Sequence, residues 1–228
     1  MAFFVMRRGK PGGANEVERK FMPIHTFAPL GPLDNNTYLI VDEATGEAAL
    51  VDPSFDSAAL WPEIQKLNVK VRYILNTHGH FDHIIGNKFY VDKTGALLAL
   101  HRADLELLQS LTLQGEMFGF EAEQSPDPTL WLEDGQTLTL GETPIHVVFT
   151  PGHAPGHVTF LVEDAALAGD CLFAGSIGRT DLPGGSLETL LHSIRERLLT
   201  LPDETRVLPG HGETTTIGAE RRTNPHLS

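Results

Sequence analysis

Residues 77–83 read Thr-His-Gly-His-Phe-Asp-His. His78, His80, Asp82 and His83 crowd four potential ligands into one short segment. Imidazole nitrogen and carboxylate oxygen are the donors that zinc, iron and manganese take. Desolvating such groups together is costly unless something binds them. A His-rich helix cap is the bland alternative, but a cap does not require three histidines. In extended chain the side chains of His78 and His80 can point the same way. Asp82 and His83 are adjacent and need not face the same point, which leaves room for two metal centres.

The flanking text places this cluster. Residues 71–76 are β-branched and apolar, as in a buried strand. Ile84, Ile85, Phe89 and Tyr90 follow at nearer helical spacing. The ligands therefore fall on a loop between a strand's C-terminal end and a helix, where α/β folds bind their ligands. Three other strand ends carry similar side chains: His153 (with His157 four residues on), Asp170 in Gly169-Asp170-Cys171, and His211 in Gly210-His211-Gly212. Each lies beside glycine, which permits close backbone approach. One such histidine means little, but four strand ends of this kind favour convergence on one site.

The elements that must position them alternate in type. Strands are expected over 37–41, 47–52, 71–76, 97–100, 137–140, 145–150, 158–162, 165–168 and 207–208. Helical spacing covers 57–67, 101–111 and 186–201, the last with Leu187, Leu190, Leu191, Ile194 and Leu198 on one side. Residues 114–129 break the pattern and read as a surface excursion, a lid or pocket wall. Residues 1–21 read as a flexible N-terminal leader, with Met22 competing with Met1 as the start, and 22–228 as a single domain.

Composition narrows the classes. The chain has 228 residues, 41% hydrophobic and 21% charged, enough for a sizeable core. A net charge of −13 argues against nucleic-acid and anionic-membrane partners. The one cysteine, Cys171, excludes an intrachain disulfide and points to a cytoplasmic protein. No apolar run approaches the roughly 20 residues that span a bilayer. No Gly-x-Ser-x-Gly text offers a serine nucleophile, and Cys171 reads as a small buried strand-end residue.

In order and spacing, Thr77–His83 followed by His153, Asp170 and His211 resembles the metallo-β-lactamase superfamily, closest to small glyoxalase II-like hydrolases. Gly31-Pro32-Leu33, Val51-Asp52-Pro53, Ser176 to Asp181 and the tail from Thr216 to Leu227 extend the resemblance over most of 22–227. It implies an α+β fold, a four-layer αββα sandwich with a dinuclear centre at one edge. His78, His80 and His153 would hold one divalent metal, and Asp82, His83 and His211 a second, with Asp170 between them. Zinc is the metal expected, with iron or manganese as alternatives. The activity implied is hydrolysis of a thioester or small ester, S-lactoylglutathione in type, by a metal-bridging hydroxide that Asp82 orients. The Gly178–Asp181 string also resembles persulfide dioxygenases, which use one iron. Lactone or β-lactam hydrolysis, or a metal-dependent sensor without turnover, completes the set. Full-length glyoxalase II enzymes bind glutathione partly through a helical C-terminal segment, whereas this sequence ends soon after His211, which puts the thiol-binding part in question. Asn36 and Asp52 are expected to brace ligand loops, and His157 to orient a ligand or pack in the core. Arg179 is expected to pair with Asp181 or to reach substrate. His25, His101, His146, His192 and His226 are assigned to surface or core, and Glu220-Arg221-Arg222 to a solvated face.

Overall fold

The computed structural model describes residues 24–227. The expected leader over 1–21 and the choice between Met1 and Met22 lie outside the described residues. In the first half, six strands form one sheet: β1 (Ile24–Leu30), β2 (Asn35–Asp42), β3 (Glu47–Val51), β4 (Lys70–Leu75), β5 (Leu97–His101) and β6 (Leu130–Leu132), in that order. Between them run α1 (Trp61–Lys66), α2 (Phe81–Ile84), α3 (Asn87–Thr94), α4 (Leu105–Gln109) and α5 (Leu111–Met117). The second half gives β7 (Thr137–Leu140), β8 (Thr143–Phe149), β9 (Val158–Val162) and β10 (Ala165–Gly169). A two-stranded ribbon, β11 (Leu172–Phe173) and β12 (Ser176–Ile177), precedes α6 (Leu187–Ser193). Strands β13 (Arg206–Pro209) and β14 (Thr215–Thr216) and helix α7 (Ile217–Thr223) end the chain. The second sheet runs β14-β13-β10-β9-β8-β7.

Strand alternation sorts side chains into layers. Tyr38, Ile40, Val51 and Leu75 of the first sheet meet Ile145, Val147, Phe160 and Leu167 of the second in a shared interior. Their neighbours Leu39, Val41, Leu50 and Ile74 point outward onto Ile64, Ile84, Tyr90 and Leu108 of the first helical layer. Ala168 and Val207 pack on Leu190, Ile194, Leu198 and Ile217 of the second. Both sheets are thus covered on both faces, giving the helix–sheet–sheet–helix order of an αββα sandwich. No helix among the described residues is long and apolar enough to cross a membrane.

Several expectations are corrected. The break over 114–129 starts too early, because α5 runs to Met117; Leu111 is buried, and Gly115 sits so close to Phe120 that a Cβ there would lie 2.9 Å from its carbonyl oxygen. Leu187 is 52% exposed, in the first turn of α6 next to its cap Ser186, and burial begins at Leu190. The 57–67 helix is a 3-10 turn (Ser57–Leu60) followed by α1, which leaves Leu67 39% exposed.

Candidate metal centre

Every candidate ligand leaves a strand at the same edge of the sandwich. Strand β4 delivers residues 77–83, β8 delivers His153, β10 delivers Asp170 and β13 delivers His211. Two backbone bonds tie the sheets together there. Val158 N–H donates to Thr77 O at 2.8 Å, and Asn36 N–H donates to Gly210 O at 2.7 Å. His78, His83 and His153 are buried, while His80, Asp82 and Asp170 keep 6–8% exposure and His211 is half-buried. The cluster is therefore reached from the side of those last four residues.

Two triads form. His78, His80 and His153 offer ligand atoms within 4.8 Å of one another, as do Asp82, His83 and His211. Asp170 stands between them: Oδ1 is 3.4 Å from His83 Nε2, and Oδ2 is 3.5 Å from His153 Nε2 and 3.4 Å from His211 Nε2. Asp52, His78 and His83 also lie within such a distance, but Asp52 is already occupied. Its Oδ1 accepts from Thr77 N–H at 2.8 Å and its Oδ2 from Thr77 Oγ1 at 2.6 Å, while His83 Nδ1 lies 3.1 Å from Oδ2. It is a brace for the ligand loop.

The far nitrogen of each ring decides which nitrogen faces the cluster. His153 Nδ1 meets Arg179 O at 2.8 Å and His211 Nδ1 meets Leu33 O at 2.8 Å. A carbonyl only accepts, so both Nδ1 atoms carry hydrogen and both Nε2 atoms face inward. Asp52 does the same for His83. Thr77 Oγ1 gives its proton to Asp52 and so accepts from His78 Nδ1 at 3.0 Å. That leaves His78 Nε2, together with His83 Nε2 and Asp170 Oδ1, buried and without a hydrogen-bond partner. His80 Nδ1 and His153 Nε2 face each other at 2.8 Å. Ring nitrogens and carboxylate oxygens converging in burial make a donor set that a cation would satisfy. The residues fit two divalent metals, one per triad.

Charge follows the same division. Burial, then neighbouring imidazoles, holds His78 well below the usual histidine range and His80 down to about 3; burial also lowers His153. These three rings are neutral and ready to donate lone pairs. Burial would raise Asp82 and Asp170, but His83 and His211 overcome it and hold both carboxyls low. Burial would also lower His211, yet Asp170 and Asp82 carry it to about 10.

The other expected residues divide cleanly. Asn36 Nδ2 donates to Pro209 O and Gly212 O, both at 2.9 Å, and so clasps the His211 loop. His157 faces no cation: its Nε2 accepts the Asp170 N–H at 3.1 Å and its Nδ1 faces Thr150 Oγ1 at 2.9 Å, so it aims Asp170. Arg179 pairs with Asp181 through two bonds of 2.7 Å, and its carbonyl holds His153. Cys171 is fully buried, and burial pushes its thiol pKa up.

Sequence reasoning passed over three residues. Asn35, fully buried, donates to Asp82 Oδ2 at 2.9 Å; the Asn35-Asn36 pair before a strand was its only signal. Gln114 Nε2 donates to Gly79 O at 3.3 Å, and its Oε1 accepts from Phe81 N–H at 3.3 Å, tying α5 to the ligand loop. Asp104 is buried against the same loop. Beside them Phe118 stacks on Phe81, centroids 5.0 Å apart, which makes the start of the 114–129 segment an aromatic wall flanking the ligand loop.

Comparison with known proteins identifies the family. Residues 30–211 match the family model of the metallo-beta-lactamase superfamily. The chain is 39% identical to the probable metallo-hydrolase YqgX of Bacillus subtilis, covering 88% of this chain and 95% of that one. It is 36% identical to the hydroxyacylglutathione hydrolase GloC of Haemophilus influenzae (88% and 96% covered). It is also 32% identical to the human mitochondrial persulfide dioxygenase ETHE1 (97% and 80% covered). Among solved structures it is similar to the B3 metallo-beta-lactamase BLEG-1, with TM-score 0.84, 35% identity, and 90% and 100% coverage. The di-iron-bound form of TTHA1623 gives TM-score 0.81 and 39% identity, with 88% and 100% coverage. Fold, strand-end ligands and these relatives together make the chain a member of the metallo-β-lactamase superfamily, whose members are generally metal-dependent hydrolases.

Proposed function

We propose that this protein is a dinuclear hydrolase of a small thioester or related ester, acting on an acyl-glutathione type of substrate. The observation that carries the reading is the completeness of both triads with Asp170 set between them. When bound, two divalent cations there would lower the pKa of a shared water and polarise the substrate carbonyl. Zinc suits this donor set, and iron or manganese share it. The similarity to GloC supports the acyl-glutathione class.

The protein's own contribution is orientation. Asn35 fixes Asp82 by its 2.9 Å bond, so the carboxylate can accept a hydrogen from the attacking water and hold its lone pair toward the carbonyl carbon. Asp170, aimed by His157, keeps the two triads in register. The substrate enters past His80, Asp82, Asp170 and His211, the ligands with remaining exposure. As the tetrahedral adduct collapses, the C–S bond breaks and its electron pair leaves on sulfur. A thiolate, with a pKa of about 8.5, departs without a proton being delivered to it.

A second reading is persulfide dioxygenation, supported by the similarity to human ETHE1. One preparation separates the two. Metal analysis should find two cations per chain, and S-lactoylglutathione should be cleaved without oxygen uptake. A single iron, with oxygen consumed on glutathione persulfide and no thioester cleavage, would overturn the hydrolase reading. Lactones in the same screen bound the ester range.

A further inference from the structure

Asp104 lies in a 3-10 turn just past β5 and is fully buried. Among the described residues no Lys or Arg meets its carboxylate. Both oxygens instead take backbone donors from two different ligand loops. Oδ2 accepts the Gly79 N–H at 2.9 Å, and Oδ1 accepts the Gly156 N–H at 2.5 Å. Gly79 lies between His78 and His80. Gly156 lies between His153 and His157, the ring that aims Asp170.

The two glycines are shaped to this contact. A Cβ on Gly79 would stand 2.9 Å from Asp104 O and 3.2 Å from Asp104 Cβ. One on Gly156 would stand 2.8 Å from Asp104 Cγ, Oδ1 and N. A carboxylate buried without a cation is costly, so its retention here needs a compensating role. The second triad is held by other groups: Asp52 on His83, Asn35 on Asp82, and the Leu33 carbonyl on His211.

We propose that Asp104 is a positioning residue that sets the spacing of the first triad alone. It clamps the loop of His78 and His80, which leaves the first sheet, to the loop of His153, which leaves the second. The inference rests on the two-metal reading of the site and not on any substrate.

The test is metal binding to the full chain. Purified protein is stripped, then titrated with cobalt(II) while the visible spectrum is recorded. His153→Ala and His211→Ala, each with one triad broken, provide reference spectra for the two sites. Asp104→Asn keeps the volume and one acceptor but turns an amide donor toward one glycine N–H. It should bind the first cobalt ion about 10- to 100-fold more weakly, with the second site unchanged. Asp104→Glu, which keeps both acceptors, should recover more first-site affinity than Asn. Leu107→Ala, which trims the side chain next to Gly79 but keeps its Cβ and touches neither bond, should bind both ions normally. Wild-type affinity at both sites in Asp104→Asn, or equal weakening of both, would overturn the proposal. So would a Leu107→Ala variant that behaves like Asp104→Asn. A failure of the thioester reading would leave these titrations untouched, since no substrate enters them.

Discussion

The rings at this site are set by oxygen atoms outside it. Thr77 shows how far that control reaches. Its hydroxyl donates to Asp52 and therefore accepts from His78, which turns the Nε2 lone pair of His78 inward. Thr77→Val keeps the shape and removes the acceptor, so His78 Nδ1–H is left buried and unpaired. Metal affinity should fall about 10- to 100-fold, and Thr77→Ser should restore it; an unchanged Kd in competition with a chelating dye would refute the tautomer assignment. Cys171, one residue from Asp170, invites a nucleophilic role that the structure opposes. It is fully buried, and burial raises its pKa, so it stays a thiol at neutral pH. Cys171→Ala should keep metal content and turnover within a factor of about two, a small core change. Iodoacetamide should label the native thiol only after unfolding, and rapid native labelling with loss of activity would reverse this assignment.

At the scale of elements, the strand ends do the positioning, and glycines let them meet. Gly210 joins β13 to His211, and both its backbone groups are used: N–H to Gly169 O and C=O to Asn36 N–H, each at 2.7 Å. A Cβ there would stand 2.2 Å from Asp170 Oδ1 and 2.6 Å from His83 Cε1. Gly210→Ala should therefore displace one ligand of each kind. We expect loss of two-metal loading and a stability cost of about 1–3 kcal/mol; full cation content by elemental analysis would show that the loop can give way. The legible part of this fold lies in the same elements. Strands such as 158–162 and 165–168 bury side chains on both faces and read as nearly continuous apolar runs, and Asp170 follows the second of them. The illegible part is of two kinds. Strands β6, β11, β12 and β14 have two or three residues each, too short to show a period. Asp104 lies 25 residues from Gly79 and 52 from Gly156, and no local pattern encodes a contact made only when two sheets close.

For the whole molecule, the consequence is that cation binding and sandwich closure are linked equilibria. Each triad draws ligands from both sheets: His78 and His80 with His153, and Asp82 and His83 with His211. Asp170, from the second sheet, faces rings from both. Without cations the edge holds two carboxylates and inward ring nitrogens whose mutual contacts, such as His80 Nδ1 to His153 Nε2 at 2.8 Å, are poor substitutes for coordination. An unfolded chain presents no such arrangement, so bound metal stabilises the folded state by mass action. At a free metal concentration a hundred times Kd, each site contributes about 2.7 kcal/mol. For a chain of this size that is a Tm change of about 5–11 °C per site. Exhaustive chelation should lower Tm by at least that step, and readdition of zinc should restore it. His153→Ala and His211→Ala should each lose part of the metal-dependent increment, because each breaks a link between the sheets. A chelated protein that melts at the same temperature as the loaded one would mean that the two sheets close without help from the centre between them.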